Sequence, residues 1–258
     1  MEENIRQSES TTKHKFSFYI DIQLNRSSNI IIDDKELLNR INNVLKFKIK
    51  DHFILFNNLY NCDAQIININ KKYIEVEIQN IKKNSKFNNY IKYFLPILKK
   101  DDFEESIYYL AEIGIQEIQP IITSKSRKIS LNLKDFERLN KIIIAACEQS
   151  KNFDIPKINK EIDIYDITEK DLANYKLRLL AYEHGENIYQ DLYNISKHEL
   201  NENTSIAIIS GPEGGLIKEE IDKINNKLNF KAMILNKNII KASHTSLIIS
   251  SLLRIIFN

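Results

Sequence analysis

Five glycines in 258 residues is very few, and three of them, Gly211, Gly214 and Gly215, fall within five consecutive positions. A chain this poor in glycine places such a cluster where the backbone needs it. Glycine permits positive φ and lets another group approach the main chain closely. The cluster reads Ser210-Gly211-Pro212-Glu213-Gly214-Gly215, after the apolar run 206–209. It precedes Ile217, Ile221, Ile224 and Leu228, spaced for one face of a helix. A strand ending in such a turn just before a helix is a common place for an α/β protein to hold a nucleotide-like ligand. Two familiar forms fail. A P-loop needs Lys and Ser or Thr after its last glycine, where Leu216 and Ile217 stand here. A dinucleotide fingerprint needs GxGxxG near the first strand of its unit, whereas this cluster comes late and is spaced differently. On spacing alone, a tight turn without a ligand stays open.

A net charge of +2 gives no global basic field, so nucleic-acid binding would need a local patch. Cys62 and Cys147 stand far apart, with no CxxC and no Cys/His cluster, so neither a zinc site nor any other metal site is expected, nor a disulfide framework. The polar start MEENIRQSESTTKHK is unlike a signal peptide, and no apolar run approaches a membrane span. The expectation is a cytoplasmic protein without a membrane partner, with residues 1–13 as a disordered tail.

Residues 15–84 are mostly strand-like, with runs at 16–20, 52–56, 64–69 and 73–78. One short helix is expected over 33–45, with Leu37, Leu38, Ile41 and Val44 on a single face. Several short strands around one helix suggest a small β-barrel. Residues 82–86 read as a linker. Beyond it, strands are expected at 90–95, 118–122 (interrupted by Pro120), 177–182, 206–209 and 232–235. Helices alternate with them: one capped by Asp101-Asp102 and stopped by Gly114, one capped by Asp135, one over 217–228 and one over 245–257. The alternation means a parallel α/β sheet covered on both faces.

Three further segments give the glycine turn a context. Residues 107–115 read IYYLAEIGI, residues 141–150 read KIIIAACEQS, and Leu180-Ala181-Tyr182-Glu183 ends a strand. Together with GPEGGL they resemble the RsmE family, SPOUT-class methyltransferases acting on N3 of uracil in 16S ribosomal RNA. The resemblance covers roughly residues 15–258 and implies a PUA-like, RNA-binding β-barrel over 14–84. Over 85–258 it implies a SPOUT α/β domain with a trefoil knot, which no sequence pattern would reveal. It also implies S-adenosyl-L-methionine as cofactor, a homodimer, and the small ribosomal subunit as partner.

Under that resemblance three loops would hold the cofactor. They comprise Leu180, Ala181, Tyr182 and Glu183; Ile209, Ser210, Gly211, Pro212, Glu213, Gly214 and Gly215; and Leu235, Asn236, Ile239, Ile240 and Lys241. The third loop departs from the family pattern. Asn236 replaces a glycine, Asn238 and Lys241 replace arginines, and Ser243 replaces a glutamate; Tyr109 stands where the family has lysine. Glu213, Lys241 and His244 are the candidate catalytic residues, Lys241 and His244 as substitutes for the missing groups. Lysine keeps the charge of arginine but not its two-pronged donor geometry. Lys99, Lys125, Arg127, Lys128 and Gln149 are candidates for RNA contact, although charged runs are more often solvated faces. Two alternatives stay open: a catalytically degenerate RNA-binding or ribosome-assembly factor with this fold, and a SPOUT ribose 2′-O-methyltransferase.

Overall fold

The computed structural model describes residues 15–24, 29–128, 130–198 and 204–257. The expected tail, residues 1–13, lies outside them. The chain divides into two compact units, Met1–Lys83 and Asn84–Asn258.

The first unit contains β1 (Ser17–Tyr19), β2 (Ile30–Ile32), α1 (Lys35–Asn39), β3 (His52–Phe56), β4 (Tyr60–Ile69) and β5 (Ile74–Lys83). They form a five-stranded sheet in the order β1-β3-β4-β5-β2, antiparallel except for the β1–β3 pair. Alternate residues point to one face, so Phe53, Leu55, Ala64, Ile66, Ile74 and Val76 meet Phe18, Leu37, Leu38 and Ile41 in one apolar core. Asparagine side chains shape the hairpin turns. The Asn57 carboxamide accepts from the Leu59 and Tyr60 N–H groups, and Asn70 does the same for Lys72 and Tyr73. Asp34 caps α1 by accepting from Leu37 N–H at 2.8 Å. The helix then widens into a π turn, Arg40–Val44, closed by Leu45 N–H to Arg40 O. That widening carries Val44 off the apolar stripe; it is 65% exposed, against the expectation of a fourth core contact. The expected linker starts too early, because Lys82 and Lys83 still belong to β5.

The second unit runs β6 (Tyr90–Pro96), α2 (Lys100–Ile113), β7 (Glu117–Ile122), α3 (Leu133–Ser150), β8 (Lys157–Ile158), β9 (Ile162–Asp163) and α4 (Glu169–Leu172). It continues with β10 (Leu177–Glu186), α5 (Tyr189–His198), β11 (Ser205–Ser210), α6 (Lys218–Asp222), β12 (Lys231–Met233) and α7 (Ala242–Ile256). The sheet order is β12-β10-β11-β6-β7-β8, with β9 also on β7, and every pair is parallel. Both faces are covered, as such a sheet requires. On one side Phe94, Leu180, Ile209, Ile224, Leu228 and Phe230 join the core; elsewhere α2 packs against α3 and α7.

Several local expectations are corrected. Pro120 does not interrupt β7, which pairs with β6 from Glu117 to Ile121. Lys157 and Asn159 donate to Gln116 O and Ile118 O, so the even-numbered main-chain groups of β7 face β8 and β9. Pro120 is next in that series and falls where β8 has ended and β9 has not begun, so its missing N–H costs no ladder bond. The cap of α3 is Asn132; Asp135 completes a capping box by accepting from Asn132 N–H. Asp101 and Asp102 sit in the first turn of α2 behind Lys99. Gly114 ends that helix at φ 89° as expected. The strand expected over 232–235 is shifted to Lys231–Met233, and α6 gives way to a π turn, Lys223–Lys227. Helices α4 and α5 and the short strands β2, β8 and β9 have no counterpart in the expected elements.

Candidate active site

The glycine turn stands at the carboxyl end of β11, which lies inside the parallel sheet. That is where α/β proteins collect ligand-binding loops. Gly215 N–H donates to Pro212 O at 2.9 Å and closes the turn. Gly215 has φ 70°, a left-handed backbone that a side chain would strain, and an added Cβ there would meet nothing within 4 Å. The turn is held from beneath by Glu220, which is fully buried. One carboxylate oxygen accepts from Ile217 N–H at 2.9 Å, the other from Ser124 N–H at 2.7 Å. One side chain thus fixes the start of α6 to the loop after β7.

The neighbouring strands bring two more loops. Ala181 pairs with Met233, after which β10 bulges and Ile234 N–H reaches Glu186 O at 3.0 Å. Gly185 sits in that bulge so close to β12 that an added Cβ would be 2.5 Å from the Met233 carbonyl carbon. Together the loops line a cavity of about 480 Å³, within the usual size for small-ligand sites.

The cavity gathers most of the residues expected at a cofactor site: Ala181, Tyr182, Glu183, Gly211, Pro212, Glu213, Gly214, Gly215, Leu235, Asn236, Ile239, Ile240 and Lys241. Leu180, Ile209 and Ser210 are not on its surface; they are buried in β10 and β11 behind it. The lining adds Leu216, Ile234, Asn238, Ala242, Thr245 and Lys125. Leu216 and Ile234 adjoin expected loop residues. Thr245 lies one helical turn beyond Lys241, so periodicity could have found it. Lys125 was expected among RNA contacts, yet its Nζ donates to Gly214 O at 2.9 Å across the cavity rim.

The polar groups are fixed by other loops. Glu213 Oε1 accepts from the Lys99 N–H at 2.9 Å, so its carboxylate is tied to the start of α2. Lys241 Nζ lies 2.5 Å from Asp102 Oδ1 and 3.5 Å from Glu105 Oε2. The Asp102 hydrogen bond and both negative charges hold the Lys241 ammonium above the ordinary lysine range. The Ser243 hydroxyl beside Glu105, then Tyr109 and Lys241, hold the Glu105 carboxyl below the ordinary range. Tyr109 and Ser243 therefore surround one carboxylate. His244 is exposed and is not part of the lining; Arg127 and Lys128 are exposed in the same loop as Lys125, and Gln149 is exposed near the end of α3.

Residues 85–254 match the RNA methyltransferase domain family. The ribosomal RNA small subunit methyltransferase E of Rickettsia conorii is 32% identical over 87% of this chain and 88% of its own length. That of Mesomycoplasma hyopneumoniae is 32% identical over 84% of this chain and 90% of its length. A crystal structure of a ribosomal RNA small subunit methyltransferase E from Neisseria gonorrhoeae bound to S-adenosyl methionine superimposes with a TM-score of 0.78, at 20% identity, over 92% of this chain and 95% of that one. The sequence match over nearly the whole length and the shared α/β fold lead to one conclusion: the chain belongs to the RNA methyltransferase family, among the ribosomal RNA small subunit methyltransferase E proteins.

Proposed function

We propose that this protein binds S-adenosyl-L-methionine in the cavity at the ends of β10, β11 and β12 and transfers its methyl group to N3 of a uridine in 16S ribosomal RNA. The observation that carries the reading is the convergence of three loops on one cavity of about 480 Å³. The residues fit such a ligand. Leu216, Ile234, Leu235, Ile239 and Ile240 supply apolar walls for an adenine, and the glycine turn offers main chain without side chains in the way. Lys125 brings a positive charge to the rim, suited to the carboxylate of the amino-acid end.

When bound, S-adenosylmethionine supplies an electrophilic methyl on a sulfonium. The work left to the chain is orientation and proton handling. Uracil N3 carries a proton that must leave for the nitrogen to attack, so a polar group has to stand near the reacting atoms. Glu213, anchored by the Lys99 N–H, is the group we assign to orienting the base. We assign His244 to the side from which RNA enters, with Lys99, Arg127, Lys128 and Gln149 as RNA contacts, and Lys241 to the wall of the cavity. The reading extends to residues 14–84 as a PUA-like RNA-binding barrel and to residues 85–258 as a knotted SPOUT domain. It also includes a cytoplasmic homodimer acting on the small ribosomal subunit. Family membership supports these points, and no helix among the described residues is long and apolar enough to cross a membrane. Calorimetric titration with S-adenosylmethionine and with its demethylated product tests the site. Saturable binding of both is expected; absence of heat at millimolar ligand would contradict the reading.

A further inference from the structure

Lys241 is the last residue of the third cavity loop and the residue that starts α7. Its carbonyl accepts from Thr245 N–H at 2.9 Å and from Thr245 Oγ1 at 3.2 Å. Its side chain turns to α2, where Asp102 and Glu105, three residues apart on one helical face, receive the ammonium. Tyr109, one turn further along that face, donates to Glu105 Oε1 at 2.9 Å and fixes that carboxylate. At its other end the loop is tied by Ile234 N–H to Glu186 O. Among the described residues, 235–240 carry one hydrogen bond between these two ties, from Asn238 N–H to Asn236 Oδ1 at 3.4 Å.

We infer that Asp102 and Glu105 are positioning residues. Through Lys241 they tether the 235–241 loop to α2 and so hold one wall of the cavity in its ligand-receiving shape. The inference rests on the cofactor reading for its functional consequence, but the tether itself does not. The lysine charge is spent within the protein, which separates this role from direct contact with a phosphate or a substrate. The fold does not depend on the tether, because α7 is held to the rest of the unit by buried Ser246, Ile249, Ser250 and Leu253.

The test compares Asp102→Asn/Glu105→Gln, Lys241→Met, Lys241→Arg and the combination of all three neutral substitutions. Hydrogen exchange of amides 235–240 is measured without ligand, and S-adenosylmethionine affinity by calorimetry. An ion pair this open to solvent is screened and changes an equilibrium by at most about fivefold. The Asp102/Glu105 variant and Lys241→Met should each speed loop exchange and weaken binding by roughly three- to fivefold. The combined variant should be no worse than Lys241→Met, and Lys241→Arg should stay within about twofold of wild type. Unchanged exchange in the neutral variants would overturn the tether. So would tighter binding in Asp102→Asn/Glu105→Gln alongside lost binding in Lys241→Met, since the lysine would then act on the ligand itself. A wild type without cofactor affinity whose loop still loosens as described would sustain the tether and overturn the cofactor reading.

Discussion

Glu220 joins the sequence's most unusual turn to the loop that carries Lys125, and its removal should be felt in both. The carboxylate is fully buried and accepts from two main-chain donors, Ser124 N–H at 2.7 Å and Ile217 N–H at 2.9 Å. Glu220→Ala leaves both donors without a protein partner. Each such loss costs about 1–3 kcal/mol. Ser124 is exposed and Ile217 half-buried, so water reaches these groups and the low end applies. The expected loss for Glu220→Ala is about 2–3 kcal/mol. Glu220→Gln keeps the shape but replaces one acceptor oxygen with an NH2 that faces a donor. Its loss should be about 1–2 kcal/mol, mostly at one of the two contacts. Urea unfolding measures both, with the midpoint falling and the slope unchanged. Cofactor affinity should fall in the same order, because the 123–126 loop and the glycine turn lose their common anchor. The reasoning is refuted if Glu220→Gln unfolds within about 0.5 kcal/mol of wild type, the range of an ordinary surface substitution.

Gly185→Ala should destabilise by about 1–3 kcal/mol and weaken ligand binding, since the new Cβ meets main chain at 2.5 Å and β12 must shift; an unchanged melting temperature would contradict this. Arg254 is buried over the Phe87 ring at 4.0 Å and donates to Asn89 O, Gly114 O and Gln116 Oε1, with its pKa pushed down to about 10 by burial. Arg254→Met should cost about 3–5 kcal/mol in denaturant unfolding, and Arg254→Lys should recover less than half, because a single nitrogen replaces the two that reach Asn89 O on one side and Gly114 O and Gln116 Oε1 on the other. Burial raises the Glu117 carboxyl, but hydrogen bonds from Tyr90, Lys92 and Asn159 outweigh it and leave its pKa lowered. A lowered folded value stabilises above the unfolded value, and that stability is lost as pH falls from the ordinary carboxylate range through the folded pKa. Glu117→Gln should therefore be less stable than wild type at pH 7 and converge on it in acid, as followed by melting temperature against pH.

The sequence carried the sheet and the first site loop for physical reasons. Glycine scarcity made the 211–215 cluster conspicuous, and the strand–turn–helix pattern around it fixed its place at a sheet end. Gly114 announced a helix end because a left-handed cap has few other solutions. What stayed hidden depended on distant partners. Nothing local marks Glu220 as buried, since its partner Ser124 comes from another loop. The partners of Lys241 on α2 are also far away in sequence, so a lysine read as a candidate catalytic group is committed to two carboxylates. Pro120 looked like a break because the gap between β8 and β9 that accommodates it is a property of the sheet. Val44 followed the helical period, but the π turn did not.

The central claim is a uridine N3 methyl transfer, and nucleoside mass spectrometry tests it most directly. Purified protein is incubated with S-adenosylmethionine and small ribosomal subunits that lack the modification, and the 16S ribosomal RNA is digested to nucleosides. The expected product is 3-methyluridine, formed only when cofactor is present and lost in Glu213→Ala. A 2′-O-methylated nucleoside in its place, or no methylated product despite bound cofactor, would contradict it.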